Sequence, residues 1–172
     1  MPQEIERKFL VKDTSYREMA YASSQMKQGY ICNTETTTVR VRISDGKGFL
    51  TIKGASNHSG LSRYEWEREI PLSDAMDLMQ LCEPNFIDKD RYRVKIGAHV
   101  YEIDEFHGAN QGLVIAEIEL NSEDEAFERA PFLGEEVTGD VKYYNASLRK
   151  YPYNQWGKNN QKEGEKGVKS IL

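Results

Sequence analysis

Charged side chains recur in i, i+2 pairs along this chain, and each pair carries a single sign. The acidic pairs are Glu4/Glu6, Glu65/Glu67, Glu102/Asp104 and Glu117/Glu119; the basic ones are Arg40/Arg42 and Arg91/Arg93, with Lys53 alone on its own segment. Apolar residues alternate with them, among them Ile5, Val39, Val41, Ile52, Trp66, Ile103 and Ile118. Successive side chains of a strand point to opposite faces, so this spacing collects charge on one face and apolar surface on the other. Carboxylates on such a face suit Mg²⁺ or Mn²⁺, hard ions that take oxygen ligands. Guanidinium forks match phosphate oxygens bidentately, so Arg40, Arg42 and Arg91 with Lys53 suit the clamping of a linear polyphosphate. Carboxylates alone would repel that polyanion, which is why both signs belong in one place.

An ordinary antiparallel sheet also shows water a charged face decorated with ion pairs. The choice of residue argues against that reading, because solvated strands are usually padded with Thr, Ser, Lys and Gln, whereas these positions are mostly Glu and Arg. Smaller signals are ambiguous. Tyr30, just before the basic strand, would orient a water if a cation such as Lys89 lowered its pKa, or it is a rim tyrosine. Lys142 reaches a phosphate chain or is solvated, and His58 is an acid–base candidate or an ordinary loop histidine. Residues 134–138 read as a turn into a helix cap, where two glutamates disfavour anion binding.

The elements that would position these residues are mainly strands, at 4–11, 28–31, 38–43, 48–53, 63–70, 89–96, 99–106 and 114–120. Ser44-Asp45-Gly46-Lys47 and Gly97-Ala98 read as hairpin connections, so neighbours are antiparallel. Helices are expected after Ser73 (74–82), after Ser122 with Glu125 as a capping box, and after Thr138 (139–151), with 13–26 partly helical. Trp66 and Tyr64, on the alternate face, are expected to pack against helices. The fold class is α+β, mainly β: a closed eight-stranded antiparallel β-barrel with a few peripheral helices. An eight-stranded barrel has room for one small ligand.

At 172 residues the chain suits one domain, here 1–153, followed by a polar, flexible tail at 154–172 whose 157–168 stretch is nearly free of apolar residues. A net charge of −5 disfavours nucleic acid and anionic membrane as partners. No apolar run is long enough to span a bilayer and no export signal is visible, so the expected compartment is the cytoplasm. There Cys32 and Cys82 would stay reduced as packing residues, and His58, His99 and His107 lack zinc-site spacing. Exposed sheet edges leave a homodimer open.

Taken together, Glu4-Ile5-Glu6-Arg7-Lys8, Val39-Arg40-Val41-Arg42, Thr51-Ile52-Lys53, Arg63-Tyr64-Glu65-Trp66-Glu67, Lys89-Asp90-Arg91-Tyr92, Glu102-Ile103-Asp104 and Ala116-Glu117-Ile118-Glu119 resemble, in order, the motifs of the CYTH superfamily of triphosphate tunnel metalloenzymes. The first run matches its ExExK hallmark. The resemblance implies a charged antiparallel tunnel acting on phosphoanhydrides with one or two divalent ions, Mg²⁺ or Mn²⁺. It makes Glu4, Glu6, Glu117 and Glu119 the metal set, with Glu102 and Asp104 close by. It makes Lys8, Arg40, Arg42, Lys53, Lys89 and Arg91 the phosphate set. Glu65 and Glu67 would bind a second ion or position water, and Lys89 with Tyr30 joins them as a catalytic candidate. The family spans inorganic and thiamine triphosphatases, class IV adenylate cyclases and RNA triphosphatases. This compact chain, with no evident aromatic pocket, looks like the inorganic triphosphatase type, which makes inorganic triphosphate the expected partner; a class IV-type adenylate cyclase, a nucleoside or thiamine triphosphatase, or a non-catalytic polyphosphate-binding module is the alternative.

Overall fold

The computed structural model describes residues 2–157. Nine strands, β1 (Gln3–Val11), β2 (Ala22–Asn33), β3 (Thr37–Ser44), β4 (Lys47–Gly54), β5 (Ser62–Ile70), β6 (Ile87–Ile96), β7 (His99–Phe106), β8 (Val114–Glu119) and β9 (Leu133–Glu136), are joined by three short helices, α1 (Tyr16–Met19), α2 (Leu72–Met79) and α3 (Asn145–Lys150). Eight strands run in the order β5-β4-β3-β2-β6-β7-β8-β1 and close through β5–β1, antiparallel throughout; β9 adds to β1 outside the ring. The expected hairpins make these neighbours. Asp45 and Gly46 both take positive φ, 48° and 78°, at the β3–β4 turn, as a two-residue turn matched to strand twist requires.

Closure is narrow. β1 and β5 share three register pairs, Gln3↔Tyr64, Glu4↔Arg63 and Ile5↔Ser62, whereas β4 and β5 share six. The later half of β5 therefore runs past the start of β1 and borders an open mouth.

The apolar faces point outward and are covered. Phe9, Val94, Tyr101, Ile103, Ala116 and Ile118 pack under Tyr16 of α1 and under Leu120, Ala130 and Phe132 of the β8–β9 connection. On the opposite side, Val41 and its neighbours Ile43 and Leu50 pack under Ala75 and Met79 of α2. Gly48 allows that approach, since a Cβ there would sit 2.5 Å from the Ala75 Cβ. A third cluster fills one end of the barrel, where Tyr30, Ile87, Phe106 and Ile115 meet Tyr143, Ala146 and Leu148. The interior is thus closed at the α3 end and lined by the charged faces elsewhere.

All eight expected strands form, but several connections differ. The partly helical reading of 13–26 shrinks to α1, because residues from Ala22 to Gln28 pair one-to-one with β6, a ladder that local propensity does not reveal. No helix follows Ser122: Glu125 accepts from Asn121 Nδ2 at 3.1 Å and faces His99 Nε2 at 2.6 Å, and Phe127 packs edge-on against Phe9. Residues 133–136 form β9 rather than a turn. α2 begins at Leu72, without a side-chain cap. The final helix breaks at Tyr144, whose φ of −70° and ψ of 137° are extended; a 3₁₀ turn, Val141–Tyr143, precedes the break and α3 follows it. Thr138 does not cap that turn. Its Oγ1 accepts the Lys8 N–H at 2.9 Å, while Asp140 accepts from the Lys142 N–H.

Trp66, expected against the helices, borders the mouth with the Arg68 guanidinium 5.0 Å from its ring, because β5 has outrun its partner there. Trp156 packs edge-on against Tyr143 and Tyr153. Of the expected tail, residues 158–172 lie outside the described residues. Cys32 and Cys82 are free and half-buried. Among the described residues, no helix is long and apolar enough to cross a membrane.

Candidate active site

The barrel encloses a cavity of about 610 Å³. Fourteen of the sixteen residues singled out from the sequence line it: Glu4, Glu6 and Lys8 on β1, Tyr30 on β2, Arg40 and Arg42 on β3, Lys53 on β4, Glu65 and Glu67 on β5, Lys89 and Arg91 on β6, Glu102 on β7, and Glu117 and Glu119 on β8. The charges are sorted by wall. Strands β3 and β6 present Arg40, Arg42, Lys89 and Arg91, while β1, β7 and β8 present mostly carboxylates.

Crowding shapes the basic wall. Burial, reinforced by Arg40 and Arg91, brings the Arg42 guanidinium down to about 9. Burial, with Arg91 and Arg42 adding to it and Asp104 opposing it, brings Lys89 down to about 7. Such mutual repulsion is relieved when an anion arrives. Arg40 Nη2 donates to Thr51 Oγ1 at 3.0 Å and to Glu67 Oε1 at 3.3 Å, yet its Nε is buried with no partner. An orphaned buried donor costs about 1–3 kcal/mol, and a ligand oxygen would recover that.

Asp104 departs from its expected place among the metal-proximal acids. Only 1% exposed, it has Oδ1 2.7 Å from Arg91 Nε, and its Oδ2 accepts from Arg91 Nη2 at 2.9 Å and from Lys89 Nζ at 2.8 Å. Burial opposes its charge, but Arg91 and Lys89 hold the carboxyl far below the usual range. Both oxygens are engaged behind the cavity wall, so Asp104 anchors the cations there. Lys142 also falls outside the cavity: the 3₁₀ turn carries it to the surface, its ammonium 4.6 Å from the Trp156 ring. His58 is exposed in the β4–β5 loop.

On the acidic wall, Glu4 accepts from Lys53 Nζ at 2.9 and 3.1 Å and from Arg63 Nε at 3.2 Å. Despite burial, Lys53 and Arg63 hold it well below the usual carboxylate range. Glu117 lies 3.5 Å from Lys8 Nζ and 3.9 Å from Arg91 Nη2, and these cations outweigh burial to lower it as well. Glu6 and Glu119 are different. They stand opposite each other in the β1–β8 register, and among the described residues neither has an ion-pair partner. Burial, then Glu117 and Glu4, drive Glu6 well above its ordinary value; burial, Glu4 and Glu102 raise Glu119. Two carboxylates at opposed positions of adjacent strands, neither held in an ion pair among the described residues, are a donor set that fits a hard divalent cation. Among the described residues no three acidic groups already close around one point, so waters and substrate oxygens would complete the shell, as Mg²⁺ prefers.

On β5, Glu67 accepts from Thr51 Oγ1 at 2.6 Å, and this bond with the Arg40 charge outweighs burial to lower it. Burial raises Glu65 against the pull of Lys53. Sequence reasoning missed Arg63, Thr51, Gln28, Tyr144 and Asn145. The first two share strand parity with Glu65 and Lys53, which was a usable signal, and Gln28 shares it with Tyr30. Tyr144 and Asn145 come from an irregular segment with no such mark; the Tyr144 ring lies 4.9 Å from Lys8 Nζ and 5.7 Å from the Arg63 guanidinium.

The profile of the CYTH domain matches residues 2–150. The chain belongs to the CYTH family. Dependence on a divalent metal follows for this CYTH protein from that membership. The chain is 45% identical over 154 residues to an inorganic triphosphatase of Acetivibrio thermocellus, covering 89% of this chain and 97% of that one. It is 35% identical over 149 residues to an inorganic triphosphatase of Nitrosomonas europaea, covering 84% and 95%. The crystal structure of the inorganic triphosphatase NE1496 superposes on the CYTH barrel with a TM-score of 0.61 at 32% identity, covering 87% of this chain and 95% of that one.

Proposed function

We propose that this chain hydrolyses inorganic triphosphate to pyrophosphate and phosphate with Mg²⁺ or Mn²⁺ as cofactor. The observation that carries the reading is the sorting of charge in one cavity: a basic wall with an unsatisfied Arg40 Nε faces an acidic wall with an unneutralised Glu6/Glu119 pair. Relatives at 45% and 35% identity that are inorganic triphosphatases support the substrate.

Arg40, Arg42, Lys53, Lys89, Arg91 and Lys8 bind and align the phosphate chain, held by their strands at fixed heights along the cavity. Asp104 orients Arg91 and Lys89 from behind. Glu6, Glu119, Glu117 and Glu102 would hold the divalent ion, with Glu4 adjoining through Lys53. The ion, when bound, neutralises phosphate charge and lowers the pKa of a coordinated water. Phosphoryl transfer has a loose transition state with charge spread over its oxygens, so alignment and fixed cations supply most of what the protein contributes. Glu65, Glu67 and Tyr30 stand where a water or a leaving phosphate can be oriented. Trp66 and Arg68 border the mouth.

The test is phosphate release from tripolyphosphate with Mg²⁺ or Mn²⁺, run beside ATP, thiamine triphosphate and pyrophosphate. Tripolyphosphate should turn over fastest. Faster turnover of any of the other three, or binding without release over hours, would overturn the assignment.

A further inference from the structure

Along the basic wall runs a network of five side chains in which every hydrogen-bond direction is forced. Arg42 Nε sits 3.0 Å from Gln28 Oε1. Arginine can only donate, so the carboxamide oxygen of Gln28 must face Arg42 and its amide nitrogen must face the other way. That nitrogen lies 2.9 Å from Tyr30 Oη and 3.2 Å from Asn145 Oδ1. Lys89 Nζ donates to the same Asn145 Oδ1 at 2.9 Å. The Gln28 amide nitrogen can only donate, so it fixes the orientation of the Asn145 amide as well. Gln28 is fully buried and Tyr30 is 3% exposed, so water does not reorder the network.

One consequence concerns Tyr30. Its hydroxyl oxygen accepts from Gln28, so its own proton is left to give, and Tyr30 lines the cavity. We propose that Gln28 and Asn145 are positioning residues: Gln28 makes Tyr30 a hydrogen-bond donor to the bound phosphate chain and steadies Arg42, while Asn145 places Lys89 beside it. Asn145 opens α3, whose Ala146 and Leu148 are anchored in the apolar cluster that closes the barrel. The end plug therefore also sets part of the catalytic wall.

This rests on the triphosphatase reading and is tested by a double-mutant cycle on tripolyphosphate hydrolysis. Tyr30→Phe removes the donated proton. Gln28→Glu keeps an acceptor for Arg42 but turns the Tyr30 proton away from the cavity; Gln28→Met removes both bonds at similar volume, should the glutamate fail to fold. Loss of one such donor lowers kcat by about 10²-fold. Each single variant should show a fall of that order in kcat with a smaller change in KM. The double variant Tyr30→Phe/Gln28→Glu should be no slower than the worse single one. Multiplying losses, or wild-type kcat in Tyr30→Phe or in both Gln28 variants, would overturn the proposal. Asn145→Ala should lower kcat/KM about tenfold or more at an unchanged melting temperature, and Asn145→Asp, which restores the acceptor for Lys89, should leave Lys89→Ala the more damaging change; equal wild-type activity in Asn145→Ala would overturn its part. A wild-type protein that does not cleave tripolyphosphate would fail the function itself, a result distinct from any of these.

Discussion

Glu6 stands opposite Glu119 in the β1–β8 register and, among the described residues, has no ion-pair partner while Glu117 and Glu4 crowd it, an arrangement unfavourable to the empty protein. The folded protein holds the Glu6 proton more tightly than the unfolded chain does, since its carboxyl is raised well above 4.5. Its contribution to stability is therefore complete below about pH 4.5 and is lost as pH rises through the folded value. In the presence of a chelator, Glu6→Gln should raise the melting temperature at pH 8 while abolishing turnover. Thermal denaturation of the two forms at pH 5 and pH 8 checks this: the variant should gain at pH 8 and gain little at pH 5. Glu119→Gln should likewise abolish phosphate release with the barrel intact by circular dichroism, and unchanged activity would remove Glu119 from the metal set.

At the scale of elements, stability and catalysis are separated by strand parity. Outward residues pack under α1, α2 and the β8–β9 connection, while inward ones carry charge. Phe132 is fully buried outside the barrel, edge-on to Tyr16 at 5.9 Å and to Tyr101 at 6.0 Å. Phe132→Ala should cost about 3–5 kcal/mol of stability and leave KM for tripolyphosphate unchanged below the melting range, measured by urea unfolding and steady-state kinetics. The end plug is the exception to this separation, since α3 contributes Leu148 to an apolar cluster and Asn145 to Lys89.

For the whole molecule, the interior is poised between two charge sets that each want a partner. Ligands that bind only the folded state stabilise it by mass action, about 2.7 kcal/mol at a hundredfold excess over Kd. Adding Mn²⁺ and tripolyphosphate to chelator-treated protein should therefore raise its melting temperature by several degrees, with Mn²⁺ alone giving a smaller rise. Glu119→Gln should lose the rise with Mn²⁺ alone. An unchanged melting profile in the native protein would contradict the cavity as the binding site.

The sequence by itself determined the eight barrel strands in outline, though neither β9 nor the first half of β2, together with the hairpins at Asp45-Gly46 and Gly97-Ala98 and the side of each strand that carries charge, because period-two alternation is a local property of the backbone. It also marked which residues share the interior. It could not say which of them meet. Glu102 and Asp104 read alike in the chain, yet only the β6–β7 register places Arg91 opposite Asp104 and buries that carboxylate behind two cations. Lys142 read as a phosphate ligand until the break at Tyr144 turned it outward. Asn145 and the orphaned Arg40 Nε were invisible for the same reason, and the parity that Gln28 shares with Tyr30 could not show its bond to Asn145: that bond joins segments 117 residues apart, and only closure of the barrel brings such segments together.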